Sequence, residues 1–498
     1  MRTSRLFLPA LITATVLLTG VPAAAEPTAA PPPPTPPATT SGPAAAATIC
    51  NRYCDSRDPA LATGDRVAVT AGVSGRTLSL HLADGDPMGW AVLDQVRAGD
   101  QVWLDRSFDG GATWADGSRL GATTAPGGVG GWRTQMFNND DWARLGVGAL
   151  RACGRATDTG AIACTQWART RWNAGNRTDA AATAMMALYD NATGTFRGGG
   201  WWGSAVALTS VIRDAEVTGM PSYRYAISTT YDRNVGAGRG QFRNEYSDDT
   251  GWWAMAWLDA YDLTGDRRYL DTARIAADHM QTFWTSACGG GIRWREGDTA
   301  KTAISNGLYV QVNATLAART GNAAYRTRAT TGWSWFAASG LIGGDGLVRD
   351  GMNESGCAPG GTVFSYNQGV LISGLTELSA LTGDPAPRNR ARQIADATTR
   401  SGSLLTDSGG ILHDPPEGWD TCTNDGAYFK AALARGLDEL DAALADHPYG
   451  AYLSRQASSA YSRSRNAFDQ YSLSWSAWTQ PAGAGCQASA LALMNATH

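Results

Sequence analysis

The feature that most constrains the fold is a Thr-Gly pair that ends one apolar segment after another beyond about residue 172. The pair occurs at residues 218–219, 264–265, 320–321 and 382–383, at intervals of roughly fifty to sixty residues. A glycine that follows a helix can take the left-handed conformation that closes the last helical turn. Each pair therefore predicts a helix end, and the spacing predicts a repeated helical hairpin.

Apolar residues at helical spacing predict twelve helices in this region. The predicted segments are 179–191, 202–218, 222–235, 249–264, 267–286, 302–320, 323–339, 366–382, 388–401, 424–445, 450–466 and 485–497. Twelve helices make six hairpins, which can close into a toroid. An open helical solenoid has similar repeats, but it rarely carries Trp- and Gly-rich loops at one hairpin after another. We therefore predict a mainly α fold, an (α/α)6 barrel of six helical hairpins preceded by a small all-β domain.

The N-terminal segment has the pattern of an exported protein. Residues 1–25 begin with Arg2 and Arg5, continue with an apolar run and end in small residues, which is typical of a cleaved secretory signal peptide. Residues 26–48 are almost entirely Pro, Ala and Thr and predict a linker. Since no other stretch approaches the ~18 apolar residues of a membrane helix, we expect a secreted, extracellular protein without membrane insertion.

Between the linker and the helices, short alternating segments such as 66–70 and 77–82 predict a β accessory domain at 50–153. The helical domain is predicted at 165–498. Residues 107–114 resemble the Asp-box, a turn in which an Asp side chain bonds backbone amides and a Trp plugs the hairpin. One such box in about a hundred residues argues against a sialidase propeller, so we read the motif as structural.

Charge and composition limit the partners of the protein. The formal net charge is −4 and the pI is about 5.8, so the chain lacks the basic surface that nucleic acid or an anionic membrane requires. Nineteen Trp and fifty-nine Gly are the compositional outliers, and together they are typical of carbohydrate-active proteins. We expect a monomer that acts on a neutral polysaccharide.

The cysteines agree with an oxidising compartment. There are eight of them, which allows four disulfides. Sequence alone leaves the connectivity open, and the pairs that we expect are Cys153–Cys164 and Cys288–Cys357. Because the cysteine spacings are irregular and the five His are isolated from them, no structural metal is expected.

Two adjacent carboxylates precede two adjacent indoles at the predicted start of a helix. Ser247 or Asp248 would serve as N-cap, and side chains four residues apart share a face, which places Asp248 beside Trp252 and Asp249 beside Trp253. Paired Asp residues often only cap a helix or compensate its dipole. Three Trp and a Tyr in one short helix exceed the needs of a core. We therefore favour glycoside hydrolysis, which requires two carboxyl groups beside the scissile bond.

Several loops combine Gly with an aromatic or amide residue, a composition that suits a sugar-binding cleft. The candidate substrate-binding residues in these loops and behind the acids are Trp201, Trp202, Trp252, Trp253, Trp294, Asn306, Tyr366, Asn367 and Gln368. For each loop taken singly, ordinary turn and core roles remain open. The acids Asp259, Asp262 and Asp271 are expected on exposed helix faces without a role.

Four motifs together resemble glycoside hydrolase family 76. They are Asp248-Asp249 followed by Trp252-Trp253, then the segments 289–294, 303–307 and 366–369. The resemblance covers roughly residues 172–498 and leaves the β region outside as an accessory domain. It implies an (α/α)6 barrel that acts as an endo-α-1,6-mannanase on α-1,6-linked mannan and retains the anomeric configuration. It also implies that Asp248 is the nucleophile and Asp249 the acid and base.

The environment of the two acids leads to an expectation about their ionisation. A carboxylate at a helix N-terminus is stabilised in its charged form, which suits Asp248 as nucleophile. A neighbouring negative charge and the indoles should raise the pKa of Asp249. This chemistry needs no cofactor.

Two alternatives remain open. Fungal relatives with the same Asp pair are thought to transfer glycans, so the chain could be a cell-wall transglycosylase of the same fold. It could also be a non-catalytic protein that binds wall glycans, although the intact Asp pair argues against that.

Overall fold

The computed structural model describes residues 55–111, 113–114, 119–139, 147–171 and 174–498. The predicted signal peptide and linker lie outside the described residues, and so do Cys50 and Cys54. Residues 48–498 form one compact unit that contains both the β-rich part and the helical part.

The β-rich part contains two antiparallel sheets. Its strands are β1 (Arg66–Val73), β2 (Arg76–Ala83), β3 (Met88–Asp94), β4 (Gln101–Ser107), β5 (Leu120–Thr124), β6 (Gly131–Arg133), β7 (Phe137–Asn138), β8 (Ala149–Arg155) and β9 (Ile162–Cys164). One sheet has the order β1–β2–β3–β6, with β7 also paired to β3, and the other has the order β5–β4–β8–β9. Leu80, Leu93, Leu104 and Leu150 contribute to their shared core. The predicted strands at 66–70 and 77–82 lie in β1 and β2, and the second sheet continues past residue 153 to Cys164.

The Asp-box turn forms in part as predicted. Asp109 accepts hydrogen bonds from the backbone N–H of Thr113 at 2.8 Å and from its hydroxyl at 2.6 Å. Trp114 does not plug a core, because 45% of its surface is exposed. Its indole lies over the guanidinium of Arg151, 4.3 Å from the ring centroid.

Within the described residues 174–498, twelve α-helices follow, as the sequence predicts, and each predicted end lies within five residues of the observed one. They are α1 (Arg177–Met186), α2 (Gly200–Val217), α3 (Tyr225–Asn234), α4 (Ser247–Thr264), α5 (Arg267–Gln281), α6 (Ala303–Thr320), α7 (Ala323–Ala338), α8 (Ser365–Thr382), α9 (Pro385–Thr399), α10 (Phe429–Ala442), α11 (Gly450–Arg463) and α12 (Ala484–Asn495). Short two-stranded ribbons join β10 (Tyr189–Asp190) to β11 (Thr195–Phe196) and β12 (Ala300–Thr302) to β13 (Gly351–Asn353).

Glycine ends the helices at the predicted positions. Gly265, Gly321 and Gly383 follow α4, α6 and α8 with φ values of 71°, 68° and 75°. This left-handed conformation lets the glycine N–H bond back to the last turn, which few other residues adopt without strain.

Six of the helices contact one another in a closed cycle. α2 packs on α4, α4 on α6, α6 on α8, α8 on α10, α10 on α12, and α12 returns to α2. The other helices pack against this inner ring, with α5 on α4, α7 on α6, α9 on α8 and α1 on α12. Every residue of α6 from Ala303 to Ala317 is buried. An inner helix is therefore enclosed on all faces, whereas an outer helix is buried on one.

Three disulfides join the described cysteines. The predicted pairs Cys153–Cys164 and Cys288–Cys357 are confirmed, and Cys422–Cys486 is a third. Among the described residues, no helix combines the length and the apolar character needed to cross a lipid bilayer.

Candidate active site

The two adjacent acids lie in the first turn of α4. The helix begins at Ser247, and Tyr246 occupies the N-cap position without a side-chain bond. The predicted cap at Ser247 or Asp248 is therefore wrong: the Ser247 hydroxyl instead donates to the carbonyl of Arg293 at 2.8 Å. Because they are not needed to cap the helix, Asp248 and Asp249 are available for other contacts.

Asp248 accepts hydrogen bonds on both of its carboxylate oxygens. The indole Nε1–H of Trp294 donates to Oδ2 at 2.9 Å, and the backbone N–H of Asp249 donates to Oδ1 at 3.0 Å. The Asn244 amide donates to Oδ2 of Asp249 at 2.6 Å. Trp294 thus acts as a hydrogen-bond donor to one of the acids, and Asn244 is a partner that the sequence did not single out.

The pKa values of both acids are raised. Burial and the charge of Asp249 raise the pKa of Asp248 to about 8, against the opposing effect of its N–H donors. Burial and the charges of Asp425 and Glu245 raise the pKa of Asp249 to about 6, although the bond from Asn244 lowers it. The expectation that the helix N-terminus keeps Asp248 in its charged form is wrong, since loss of water at this buried acid outweighs the effect of the helix and raises its pKa.

Half-buried aromatic rings connect the first turns of the inner helices beside the acids. Trp202 of α2 stacks on Trp252 of α4, with ring centroids 5.8 Å apart, and also contacts Tyr428. Tyr366 of α8 stacks on Phe429 of α10 at 3.9 Å. The amino-terminal ends of these four helices therefore meet at one end of the ring, where the acids lie.

Two further acids lie near the pair. Asp425 accepts a 2.9 Å hydrogen bond from Trp202 Nε1, and its charge is one of the influences that raise the pKa of Asp249. Asp350 accepts a 3.1 Å bond from the Asn367 amide, and burial raises its pKa. Sequence reasoning missed both acids, because they lie in loops far along the chain and carry no local motif.

Two of the predicted sugar-binding amides are structural. The side chain of Asn306 accepts from the backbone N–H of Ile292 at 2.8 Å and donates to its carbonyl at 3.0 Å. Gln368 makes the same pair of bonds to Val348, at 2.8 and 2.9 Å. Both amides are buried, which corrects their assignment as substrate ligands. Asn306 fixes the loop that presents Trp294, so its effect on the site is indirect.

A third inner helix, α12, also has a buried amide that bonds the backbone of the preceding loop. Gln487, the fourth residue of α12, accepts from the backbone N–H of Tyr471 at 3.1 Å and donates to the carbonyl of Asp469 at 3.3 Å. Asn306 and Gln368 are likewise the fourth residues of α6 and α8. A buried amide at this position therefore fastens the loop that precedes each of these helices.

Three more predicted site residues are set back from the acids. Trp253 has no exposed surface and packs between Trp201, Phe242 and Trp257. Trp201 is half-buried on the same cluster, and Asn367 is buried against Asp350. The prediction that Trp253 and Asn367 contact substrate is therefore corrected: they support the site from behind. Trp202, Trp252, Trp294 and Tyr366 remain half-buried beside the acids.

Two cavities lie inside the ring of inner helices. One of about 40 Å³ is lined by residues from all six inner helices, with Trp252 of α4 and Gln311 of α6 in its wall. The other, of about 320 Å³, shares Gln311 and Arg435 with the first and is also lined by Asp259 and Glu377.

Among the described residues, one cluster has spacing close enough for metal ligands. It consists of Asp105, Cys153 and Cys164. Both sulfur atoms belong to one disulfide, so neither is a thiolate ligand.

The site contains two carboxyl groups with raised pKa values, flanked by indoles at one end of a helical ring. This combination is typical of proteins that act on glycosidic bonds. The chain matches the sequence profile of glycosyl hydrolase family 76 over residues 173–498, about two thirds of its length. It belongs to that family.

Fungal proteins of the mannan endo-1,6-alpha-mannosidase type are similar to part of this chain. The mannan endo-1,6-alpha-mannosidase DCW1 of Saccharomyces cerevisiae is 28% identical over 213 residues, which are 40% of this chain and 46% of the relative. The chain spans less than two thirds of the length of the curated relatives that it resembles.

Solved structures share the fold. The alpha-1,6-mannanase of Salegentibacter sp. HEL1_6 is 24% identical with a TM-score of 0.58, covering 64% of this chain and 98% of that one. An inactive variant of the same mannanase, with two consecutive aspartates replaced by alanine, was solved with alpha-1,6-mannotetrose. It is 22% identical with a TM-score of 0.57, and it covers 64% of this chain and 97% of that chain.

Proposed function

We propose that the protein is a secreted, retaining endo-α-1,6-mannanase that cleaves the backbone of α-1,6-linked mannan with Asp248 and Asp249. One observation carries the proposal: these two acids are adjacent, and both have raised pKa values. They lie at the end of the ring where half-buried indoles also lie. We further propose that the closed cycle of helices is an (α/α)6 barrel, and that the β-rich part is an accessory domain.

The hydrogen bonds support separate roles for the two acids. Both oxygens of Asp248 accept N–H donors, which favours its ionised form. Of the two oxygens of Asp249, Oδ2 receives the donor from Asn244, which leaves Oδ1 to carry a proton. The pKa values rank the two acids in the opposite order, about 8 for Asp248 and about 6 for Asp249. In two interacting acids these values describe the pair and not one residue, so we assign the roles by the hydrogen bonds and propose that the last proton of the pair lies on Asp249 when Asp248 attacks.

Double displacement follows from these roles. Asp248 attacks the anomeric carbon while Asp249 transfers its proton to the departing glycosidic oxygen, so that the C–O bond breaks as the glycosyl ester forms. Forming the ester removes the negative charge of Asp248, and Asp249 then accepts a proton from water. The water oxygen attacks the anomeric carbon and releases Asp248 as a carboxylate. Two inversions at the same carbon retain its configuration.

The substrate class is supported by the family relatives. The Salegentibacter mannanase binds alpha-1,6-mannotetrose and is inactive when two consecutive aspartates are replaced, and several fungal relatives are named as mannan endo-1,6-alpha-mannosidases. We propose the same linkage for this chain. The mechanism uses no metal or cofactor, and we propose that a monomer is sufficient.

The decisive experiment incubates the secreted protein with linear α-1,6-mannan and follows the anomer of the new reducing end by NMR. We expect the α anomer first. The Asp248→Asn variant should lose hydrolysis by at least about a hundredfold while it is still retained on a mannan affinity gel. The matched control is Asp271→Asn on the exposed face of α5, with activity unchanged. Hydrolysis at the wild-type rate by Asp248→Asn would eliminate the nucleophile. Longer products without new reducing ends would assign the protein as a transglycosylase.

A further inference from the structure

Two tryptophans on the rim of the helical part are exposed to solvent. Trp419 has 64% of its surface exposed and Trp478 has 44%. Trp419 lies in the loop before α10, residues 414–428, and Trp478 lies in the loop before α12, residues 472–483. We call these two residues the indole rim. Since loops before inner helices lie at the end of the ring that carries Asp248 and Asp249, the indole rim belongs to the same end.

The two loops of the indole rim are fastened to each other next to the tryptophans. The side-chain amide of Gln480 donates a 2.5 Å hydrogen bond to the carbonyl of Asp420. The disulfide Cys422–Cys486 joins the first loop to the start of α12. The residues bonded together are thus neighbours of Trp419 and Trp478 in sequence, so the two indoles are carried by one linked unit.

A buried lysine adds a second connection. Lys430 of α10 is 1% exposed, and its ammonium donates to Glu417 at 2.7 Å and to the carbonyl of Leu473 at 2.5 Å. These charge-assisted bonds hold the first loop against the second from below. Burying a lysine is costly unless it is paired, and here the pairing serves the rigidity of the two loops.

The first loop also reaches the catalytic pair. Asp425, six residues after Trp419, accepts the hydrogen bond of Trp202, and its charge raises the pKa of Asp249. Six residues span at most about 20 Å. The Cα atom of Trp419 therefore lies within about 20 Å of that of Asp425, on a loop whose other end contacts Trp202 of the site.

Exposed indoles on preordered loops are suited to binding a polymer. An indole offers a large, rigid apolar face that loses little entropy on binding, and the C–H face of a pyranose ring is its natural partner. The rim has no excess of cationic side chains that would select an anionic ligand. Its exposed surface therefore fits a neutral polysaccharide chain.

We propose that Trp419 and Trp478 form a distal subsite that binds the mannan chain beyond the units at the cleavage site. This inference rests on the proposed mannanase function. The subsite makes the protein prefer a long chain over a short oligosaccharide, because only a long chain reaches from the catalytic acids to the indole rim.

The test compares a long ligand with a short one. In the Asp248→Asn background, which prevents turnover, dissociation constants are measured by calorimetry for linear α-1,6-mannan and for α-1,6-mannotetraose. The double variant replaces both rim residues, Trp419→Ala with Trp478→Ala. In it, the dissociation constant for mannan divided by the dissociation constant for mannotetraose should rise about tenfold. Each single replacement should give part of this change.

The matched control is Trp114→Ala, which removes an equally exposed indole from the β-rich part and should leave the ratio unchanged. Thermal unfolding of every variant confirms that it is folded. An unchanged ratio in the folded double variant would overturn the distal subsite while leaving the mannanase proposal intact. If the Asp248→Asn protein bound neither ligand, and the wild type released no reducing ends, the mannanase proposal itself would fail.

Discussion

The indole nitrogen of Trp294 donates a 2.9 Å hydrogen bond to Oδ2 of Asp248, across 46 positions of sequence. The bond stabilises the charged form of an acid whose burial favours the neutral form. It gives an aromatic residue of the site an electrostatic role in addition to any stacking on sugar.

The first prediction follows from that bond. In Trp294→Phe the donor is lost, so the pKa of Asp248 rises further and less of the acid is ionised at a given pH. The acidic limb of a plot of kcat/KM against pH should move to higher pH, with kcat/KM about tenfold lower near neutrality. The control is Trp335→Phe, whose indole donates instead to the carbonyl of Cys288. An acidic limb at the wild-type position in Trp294→Phe would show that this bond does not tune the acid.

A second prediction concerns stability. The folded protein holds protons on Asp248 and Asp249 more tightly than the unfolded chain, since their pKa values are about 8 and about 6 against an ordinary value near 4. Their contribution to stability is therefore fully present below about pH 4 and is lost as the pH rises to about 8.

Replacing both Asp248 and Asp249 by Asn removes the loss of stability that the wild type shows as the pH rises. A difference of one in pKa between the folded and unfolded states corresponds to about 1.4 kcal/mol, so at pH 9 the double variant should unfold with a free energy several kcal/mol higher than the wild type, and the difference should shrink towards pH 4. Urea denaturation across this pH range measures it. The exposed Asp271→Asn serves as reference, with a small difference that does not vary. A double variant less stable than the wild type at pH 9 would contradict the raised pKa values.

A third prediction concerns Asp259, an acid on an inner helix. Asp259 was expected on an exposed face, but it is buried and bonds Arg435 of α10 through two contacts of 2.5 and 2.9 Å. Asp259→Asn leaves the guanidinium of Arg435 with Glu439 as its remaining charge partner and should cost about 2 kcal/mol in urea denaturation.

Two variants sharpen this test. Asp262→Asn breaks a partly exposed pair with Arg319 and should cost less than about 1 kcal/mol. Asp259→Leu combined with Arg435→Met and Glu439→Gln should recover most of the stability, because the third change removes the charge of the other partner of Arg435 and no charge is left unpaired. An equal loss in the two Asn variants would argue that Asp259 is solvated.

A fourth prediction concerns the contact between α8 and α10. A β-carbon added at Gly369 would lie 2.3 Å from the backbone carbonyl of Ala432, whereas one at Gly374 would lie 3.3 Å from its nearest neighbour, Gln311. Gly369→Ala should therefore force the helices apart and cost roughly 3 kcal/mol. Gly374→Ala should be close to neutral, since the helix propensity of Ala offsets mild crowding. Thermal unfolding of the two variants compares them, and similar melting temperatures would refute the close approach.

The helices were predictable because their signals are local. Gly265, Gly321 and Gly383 mark helix ends by a backbone conformation that few other residues adopt, and apolar spacing located the segments between them. Inner and outer helices could not be separated in the same way. Asp259 shows why: an inner helix is enclosed on all faces, so a charged residue on it can be buried opposite a partner 176 positions away.

The sequence located the adjacent acids and indoles, but it did not predict which of the aromatic and amide side chains lie in the protein core. The adjacent acids and the indoles are contiguous in sequence, which made them visible. Whether an indole or amide faces the ligand depends on packing between repeats: Trp252 is half-buried beside Trp202, whereas its neighbour Trp253 lies in the core. Asp350 and Asp425 come into contact with Asn367 and Trp202 only through folding of distant loops, which local patterns do not encode.

The amides of Asn306, Gln368 and Gln487 each fasten one loop to the helix that follows it. The bonded positions are 14, 20 and 16 residues apart, so the same fastening tolerates loops of different length. Insertions or exchanges within one such loop leave the others anchored. The ring of helices is thus a modular scaffold on which evolution, or an engineer, can alter ligand preference one segment at a time.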